Sequence, residues 1–180
     1  MEIVEEKVRK TVLFIDLPNL VYSARQFRYE VNAAFFKLFD LAKQHGKIVE
    51  GFAYGDLDRP KLNFSVQRAL ISQNIRLIHC PGNGSGESKI DDPMLVEGIH
   101  SVLRRNSDFF YALVSSDIML LPVSMTLRSL SKDFRIYGFS QCASPLLRGL
   151  PEFIDFSRFL ENANSYYPIK KNETSEKVAS

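Results

Sequence analysis

The sequence predicts a doubly wound α/β fold, in which a mostly parallel sheet of about five to six strands carries helices on both faces. Short apolar runs alternate with segments of helical periodicity about five times along the 180 residues, which is typical of strand–helix–strand units. The first run, residues 11–15, is apolar on both faces, as expected of a central parallel strand covered by helices on each side. No internal repeat or linker interrupts the series.

Six segments are predicted as strands because each is a short apolar run bounded by turn residues. They are residues 11–15, 48–54, 75–80, 109–114, 134–139 and, as an edge strand, 152–156. Pro18 and Asn19 are expected to end the first strand, and Gly55 with Asp56 the second.

The segments between these strands have apolar residues three and four positions apart, which favours helices. The predicted helices are residues 30–45, 61–74, 92–105, 122–130 and 144–150, followed by a helical turn to Leu160. Gly46 is a plausible C-cap of the first helix, and Asp92 is a plausible N-cap of the third, with Pro93 at its first position. Residues 20–29 are ambiguous.

Composition narrows the class of protein. Hydrophobic residues make up 45% of the chain, so we expect one domain over residues 1–162 and a flexible polar tail over residues 163–180. Two cysteines without CxxC spacing are too few for a disulfide framework. No signal peptide or membrane span is visible, which favours a soluble, cytoplasmic protein. A net charge of +2 permits a nucleic-acid partner without requiring one.

Carboxylates lie at positions that the predicted topology brings together. Asp16 ends the first strand, Asp117 follows the fourth, and further acids begin the helix between the third and fourth strands. Because ligands bind at the carboxyl ends of parallel strands, we expect one acidic rim. Its members would be Asp16, Asp117 and Asp91 or Asp92, and Glu97 belongs to the same acidic cluster at the start of the helix. Carboxylates gathered in this way repel one another and raise one another's pKa. A bound Mg²⁺ or Mn²⁺ ion would remove that repulsion, and such an ion supports phosphodiester hydrolysis.

Four segments carry a family resemblance. In order they are VLFIDLPNL (12–20), KIDDPMLVEGI (89–99), ALVSSDIMLLPV (112–123) and PEFIDF (151–156). They resemble the FID-x-x-N opening, the Lys-x-x-Asp helix start, the SGDSDF strand end and the closing strand of the NYN domain, a branch of the PIN-like ribonucleases. The resemblance covers residues 11–156 in the right order.

The resemblance implies a PIN-like α/β/α sandwich and a Mg²⁺- or Mn²⁺-dependent ribonuclease acting on single-stranded RNA. The implied catalytic residues are Asp16, Asn19, Asp91 and Asp117, and the implied metal ligands are Asp16, Asp91, Asp92, Glu97 and Asp117. The expected RNA contacts are Arg25, Arg28, Lys89, Ser115 and Ser116. A homodimer is left open.

Two positions depart from the family pattern. Met119 stands at the second acidic position of SGDSD, and its thioether can neither ligate Mg²⁺ nor act as a base. Leu17 stands where the usual FIDGxN motif has glycine, which is expected to narrow the space beside Asp16. Reduced activity, a changed metal preference or loss of catalysis would follow.

Each candidate also has a structural interpretation. Asp16 could be a turn residue, Asp92 and Asp117 could cap helices, and Glu97, Lys89 and the arginines could be solvated. Tyr22, Phe27 and Tyr29 could stack on unpaired bases, although core or collar positions suit them better. Two other functions remain open: a degenerate module that binds RNA or protein without cutting, and a small-molecule or nucleotide site. The glycines of residues 82–86 do not follow a phosphate-binding order.

Overall fold

The computed structural model describes residues 8–57, 64–81, 91–105 and 108–160. The elements within these ranges are, in chain order, β1 (Lys10–Asp16), α1 (Leu17–Gln26), α2 (Val31–Lys43), β2 (Lys47–Gly55), α3 (Phe64–Ser72), β3 (Ile75–His79), α4 (Asp91–Leu103), β4 (Phe109–Val114), α5 (Leu120–Ser129), β5 (Phe134–Gly138), α6 (Pro145–Arg148), β6 (Phe153–Asp155) and α7 (Ser157–Leu160). None of these helices has both the length and the apolar character that crossing a membrane requires.

The strands form one six-stranded sheet in the order β3-β2-β1-β4-β5-β6, and all five pairings are parallel. The predicted α/β class is therefore confirmed. The chain builds one half of the sheet from β1 to β3 and then crosses to β4 on the other side of β1. The strand order reverses between β1 and β4, which is where open parallel sheets usually bind ligands.

Two hydrophobic cores lie on opposite faces of the sheet. Alternate side chains of β1 enter each of them: Leu13 and Ile15 pack with residues of α1, α2 and α3, whereas Val12 and Phe14 pack with residues of α4 and α5. All four β1 side chains are completely buried. Since a strand alternates its side chains between faces, an apolar run with no polar break must be covered on both sides, as the sequence predicted.

Helix α1 begins directly after β1, with no loop between them. The sequence left residues 20–29 ambiguous, but most of them belong to this helix, and Pro18 lies in its first turn. Asp16 accepts a hydrogen bond from the Asn19 amide and so is the N-cap. Proline is compatible with this position because the first-turn N–H groups have no partner within the helix.

Two predicted caps are wrong. The C-cap of α2 is Gln44, and Gly46 lies two residues later with φ 145°, where a Cβ would collide with the carbonyl of Arg9. Helix α4 begins at Asp91, so Asp92 lies inside the helix and is not its N-cap.

Helix α4 packs closely over β2 because Gly98 has no side chain. A Cβ at that position would overlap the hydroxyl group of Tyr54, which is itself 5% exposed. This close packing fixes α4 over the centre of the sheet, with its first residue, Asp91, near the carboxyl ends of the strands. The expected tail, residues 163–180, and the glycine-containing stretch 82–86 lie outside the described residues.

Candidate active site

A cleft of about 540 Å³ opens at the carboxyl edge of the sheet, beside the point where the strand order reverses. Residues from α1, the start of α4, the β4–α5 turn and the β5–α6 connection line it. They are Asp16, Pro18, Asn19, Tyr22, Ser23, Gln26, Asp91, Asp92, Ser116, Asp117, Ile118, Cys142 and Ser144. Four carboxylates that are far apart in sequence therefore share one cavity.

Asp16 is the most buried of these acids, with 5% of its surface exposed. Its Oδ1 accepts the Asn19 N–H at 3.0 Å, and its Oδ2 accepts the Ser115 hydroxyl at 2.7 Å. The structural and functional interpretations of Asp16 are thus compatible, since the same carboxylate caps α1 and lines the cleft.

Ser115 connects the two strand-end carboxylates. While its hydroxyl donates to Asp16, its Oγ accepts the backbone N–H of Asp117 at 3.0 Å. Asp117 in turn accepts the Met119 N–H at 2.9 Å through Oδ1, but the N-cap of α5 is Met119 and has no side-chain capping bond, so the expected cap at Asp117 is wrong. Ser115 is only 1% exposed, so it positions carboxylates and is not accessible for an RNA contact.

Asn19 and Ser116 join three of the segments that meet at the cleft. The Ser116 N–H donates to Asn19 Oδ1 at 2.9 Å, and the Ser116 hydroxyl oxygen accepts the Phe139 N–H at 2.8 Å. The ends of β1, β4 and β5 are therefore tied together by side chains. With Oδ1 engaged, Asn19 can still donate from its amide nitrogen.

Asp91 and Asp92 form the first turn of α4, where the helix dipole favours negative charge. Asp91 is 7% exposed and accepts the Asp92 N–H at 3.2 Å. Asp92 is half-buried. Both side chains line the same cleft as Asp16 and Asp117.

Burial and mutual repulsion change the acidity of two of these groups. Burial raises the pKa of Asp16 to about 7; the hydrogen bonds from Ser115 and Asn19 oppose that change, and the charges of Asp92 and Asp91 add to it. Burial also raises the pKa of Asp92 to about 6, with further increases from Asp117 and Asp91. The four acids thus act on one another electrostatically, as the sequence predicted for a shared rim.

The donor set has the chemistry of a Mg²⁺ or Mn²⁺ site, although it is not a closed cage. Carboxylate oxygens are the ligands that these ions prefer, and Mg²⁺ commonly uses one or two of them together with water. Among the residues the structure describes, no three His, Cys, Asp or Glu side chains are arranged as a group that could hold a metal ion. The four carboxylates therefore fit an open, partly hydrated ion better than a fully protein-coordinated one.

Several predicted site residues are not brought into the cleft. Glu97 is exposed and forms an ion pair with Arg104 at 2.5 Å, one and a half turns along α4 from the acidic cluster, so the structure does not support its role as a ligand. Arg25 and Arg28 are exposed near the C-terminal end of α1 and do not line the cleft. Lys89 lies outside the described residues.

The two departures from the family pattern have structural explanations. The Met119 side chain packs against the core formed with α4 and α5. Leu17 is 2% exposed and belongs to the core on the opposite face, so the expected narrowing beside Asp16 is not observed. In both positions an apolar residue contributes to packing.

Sequence reasoning did not assign Ser23 and Gln26 to the site, and it favoured a core or collar position for Tyr22. Tyr22, Ser23 and Gln26 line the cavity because they lie three, four and seven residues after Asn19, on the same side of α1. That spacing was visible in the sequence, but it could not be used while α1 was ambiguous. Cys142, which the sequence did not assign to the site, is exposed in the cleft, where its sulfur lies 3.4 Å from the Ser23 hydroxyl.

Replacing Ser115 by alanine is expected to lower the free energy of unfolding by about 1–3 kcal/mol, because a buried N–H group and a buried carboxylate each lose a partner. Ser124→Ala is the matched control. Its hydroxyl is also fully buried but bonds only a carbonyl within its own helix, so the loss should be smaller. Denaturant unfolding measures both, and equal losses would contradict the bridging role of Ser115.

Comparison with known proteins agrees with the fold. The family model of the NYN domain matches residues 10–161 of this sequence. A solved structure of a protein of unknown function from Vibrio parahaemolyticus RIMD 2210633 superimposes with a TM-score of 0.69 at 19% sequence identity, covering 89% of this chain and 99% of that one. At this identity the likeness shows the fold alone. No curated protein matches the sequence. Since the match spans most of the chain, the protein belongs to the NYN domain family.

Proposed function

We propose that this protein is a divalent-metal-dependent ribonuclease that hydrolyses phosphodiester bonds of RNA at the cleft. The observation that supports this most is the convergence of Asp16, Asp91, Asp92 and Asp117 on one cavity at the reversal of strand order. Membership of a family with a nuclease-type fold supports it independently. Clusters of buried acids with raised pKa values are common at functional sites, because such an arrangement is costly for folding alone.

The ligands of a Mg²⁺ or Mn²⁺ ion would come from Asp16, Asp91, Asp92 and Asp117, with one or two of these carboxylates binding the ion together with water. A divalent ion there would polarise a phosphoryl oxygen and stabilise the negative charge that develops on the phosphate during hydrolysis. The chain's own hydrogen bonds would orient the side chains that contact the ion and the phosphate. Ser115 fixes one oxygen of Asp16, and the Ser116 N–H fixes Asn19 so that its amide nitrogen can donate to a phosphate oxygen.

Cleavage of a single-stranded RNA by the full chain, with Mg²⁺ or Mn²⁺ and with EDTA, tests the proposal. Asp117→Asn should reduce the metal-dependent rate by at least about 100-fold, since the loss of a ligand should exceed that of a supporting residue. Asp40→Asn is the matched control because Asp40 is an exposed acid of α2 outside the cleft, and its rate should equal that of the native chain. Metal-dependent cleavage that survives Asp117→Asn would refute the assignment.

A second candidate is a module that binds RNA or protein without cutting. Two observations favour it: Met119 occupies an acidic position of the family pattern, and the described residues include no closed group of metal ligands. RNA binding without turnover in either metal would support this alternative, and turnover that Asp117→Asn removes would exclude it.

A further inference from the structure

Tyr22 is an exposed aromatic residue in the wall of the acidic cleft. It lies on α1, one turn after Asn19, and half of its surface is accessible. The opposite side of α1, which carries Leu20, Val21 and Ala24, is buried in the core, so the helix is rigidly held. Tyr22 is therefore presented to the cleft from a fixed support.

The environment of Tyr22 differs from those of the two aromatic residues that follow it. Phe27 stacks on Phe139 with ring centroids 5.8 Å apart, and Tyr29 contacts the same ring at 6.1 Å. These two are the packing residues that the sequence suggested. Within the described part of the chain, the ring of Tyr22 contacts no other aromatic ring. Packing within the fold therefore leaves half of the Tyr22 surface exposed to solvent.

A second apolar side chain borders the same cavity. Ile118, next to Asp117 in the β4–α5 turn, is 44% exposed and lines the cleft. Ligand sites commonly combine apolar or aromatic side chains with a few polar groups, so this cavity suits a ligand with both apolar and charged parts. The cleft offers carboxylates to bind a cation and two apolar side chains to contact a planar, uncharged group of a ligand.

Nucleic acid has these two parts. Its phosphates are repelled by the four carboxylates, so backbone contacts with the cleft are favourable only when positive charge is supplied. The faces of its bases are uncharged, and stacking on an aromatic side chain does not require that the acids be neutralised. A base is accessible for stacking in this way only when its strand is unpaired.

We propose that Tyr22 and Ile118 together form a base-binding slot in this cleft, in which the ring of Tyr22 stacks on an unpaired base. The inference rests on the proposed function, because the carboxylates beside the slot act on the adjoining phosphate. Tyr22 is a positioning residue: it holds the strand and takes no part in proton or phosphoryl transfer.

Binding by the full chain carrying Asp117→Asn tests the slot, because this background prevents turnover and removes one negative charge. The probes are a labelled single-stranded RNA of about ten nucleotides, the same strand with every base removed, and the duplex form. Adding Tyr22→Ala should weaken binding of the base-bearing strand by about tenfold and leave binding of the abasic strand unchanged. Tyr22→Phe should bind as the parent does. Phe64→Ala, which removes an aromatic residue that is 71% exposed on α3, should also have no effect.

The results separate this inference from the proposed function. Equal binding by Tyr22→Ala and its parent, an equal loss for the abasic strand, or duplex binding as tight as single-strand binding would each overturn the slot. Cleavage that is independent of Tyr22 would overturn the slot but not the nuclease. Tyr22-dependent binding by a native chain that never cleaves would overturn the nuclease and support the slot.

Discussion

The Asp16→Asn protein is expected to lose metal-dependent cleavage and, at the same time, to be more stable than the native chain at about pH 8 without metal. The rate should fall at least about 100-fold, as for loss of a metal ligand. Stability should rise because the native chain must hold a 5%-exposed carboxylate in its charged form at that pH. Asparagine can still cap α1 through its Oδ1 atom.

The direction of the pH dependence follows from the pKa of Asp16, which burial raises from 3.8 to about 7. Between these values the folded state binds a proton more strongly than the unfolded state does. The stability of the native chain therefore falls as pH rises from about 4 to about 7, and it is lowest above that range. The Asp16→Asn protein lacks this dependence. The difference between its free energy of unfolding and that of the native chain should therefore grow over the same interval, to at most about 4 kcal/mol.

Urea unfolding at several pH values, with EDTA present, measures this difference. Asp40→Asn is again the control, since replacing an exposed carboxylate should not alter how the free energy of unfolding changes between low and high pH. A loss of activity accompanied by lower stability at every pH would indicate that Asp16 acts through its capping bond alone. Higher stability with unchanged cleavage would show that the carboxylate is not part of the catalytic site.

The sequence was sufficient to predict the sheet and two of its strand-end acids, because these depend on local pattern and on a general rule of topology. An apolar run such as residues 11–15 is stable only as a covered strand, and parallel strands place their carboxyl ends on one edge. Asp16 and Asp117 follow from those two facts. Asp91 follows from the position of its helix in the same alternation.

What the sequence could not supply are contacts between distant segments. Ser116 and Asn19 are 97 residues apart, and their hydrogen bond depends on the register in which the parallel strands β1 and β4 pair. Asp91 lines the cleft, whereas Glu97 on the same helix is exposed and pairs with Arg104. Tyr22 was one of three aromatic residues that the sequence allowed to stack on bases. Only the start of α1 distinguishes it from the other two, since the direction of a helical side chain depends on where the helix begins.

Met119 shows how packing and catalysis compete for one position. It follows Asp117 by two residues, and its backbone N–H donates to that carboxylate while its partly buried side chain packs against the core beside α5. An acid there would have to leave this apolar contact or be buried without a partner, which is costly. The apolar residue thus stabilises the turn that positions Asp117, at the expense of one expected ligand.

Adding Mn²⁺ or Mg²⁺ is expected to raise the melting temperature strongly at about pH 8 and only slightly at about pH 5. An ion that binds the folded state at 100 times its Kd stabilises it by about 2.7 kcal/mol, or roughly 5–10 °C for a domain of this size. At the lower pH the ion must displace protons, because Asp16 and Asp92 have pKa values of about 7 and about 6.

Thermal unfolding with and without the ion tests this, and two variants make the result specific. Asp16→Asn should show a reduced metal effect at the higher pH, because one ligand is lost and the charge repulsion that the ion relieves is smaller. Asp40→Asn should respond as the native chain does. If millimolar Mn²⁺ leaves the melting temperature of the native chain unchanged at about pH 8, then the open arrangement of carboxylates does not bind metal, and RNA binding without cleavage becomes the better account of the cleft.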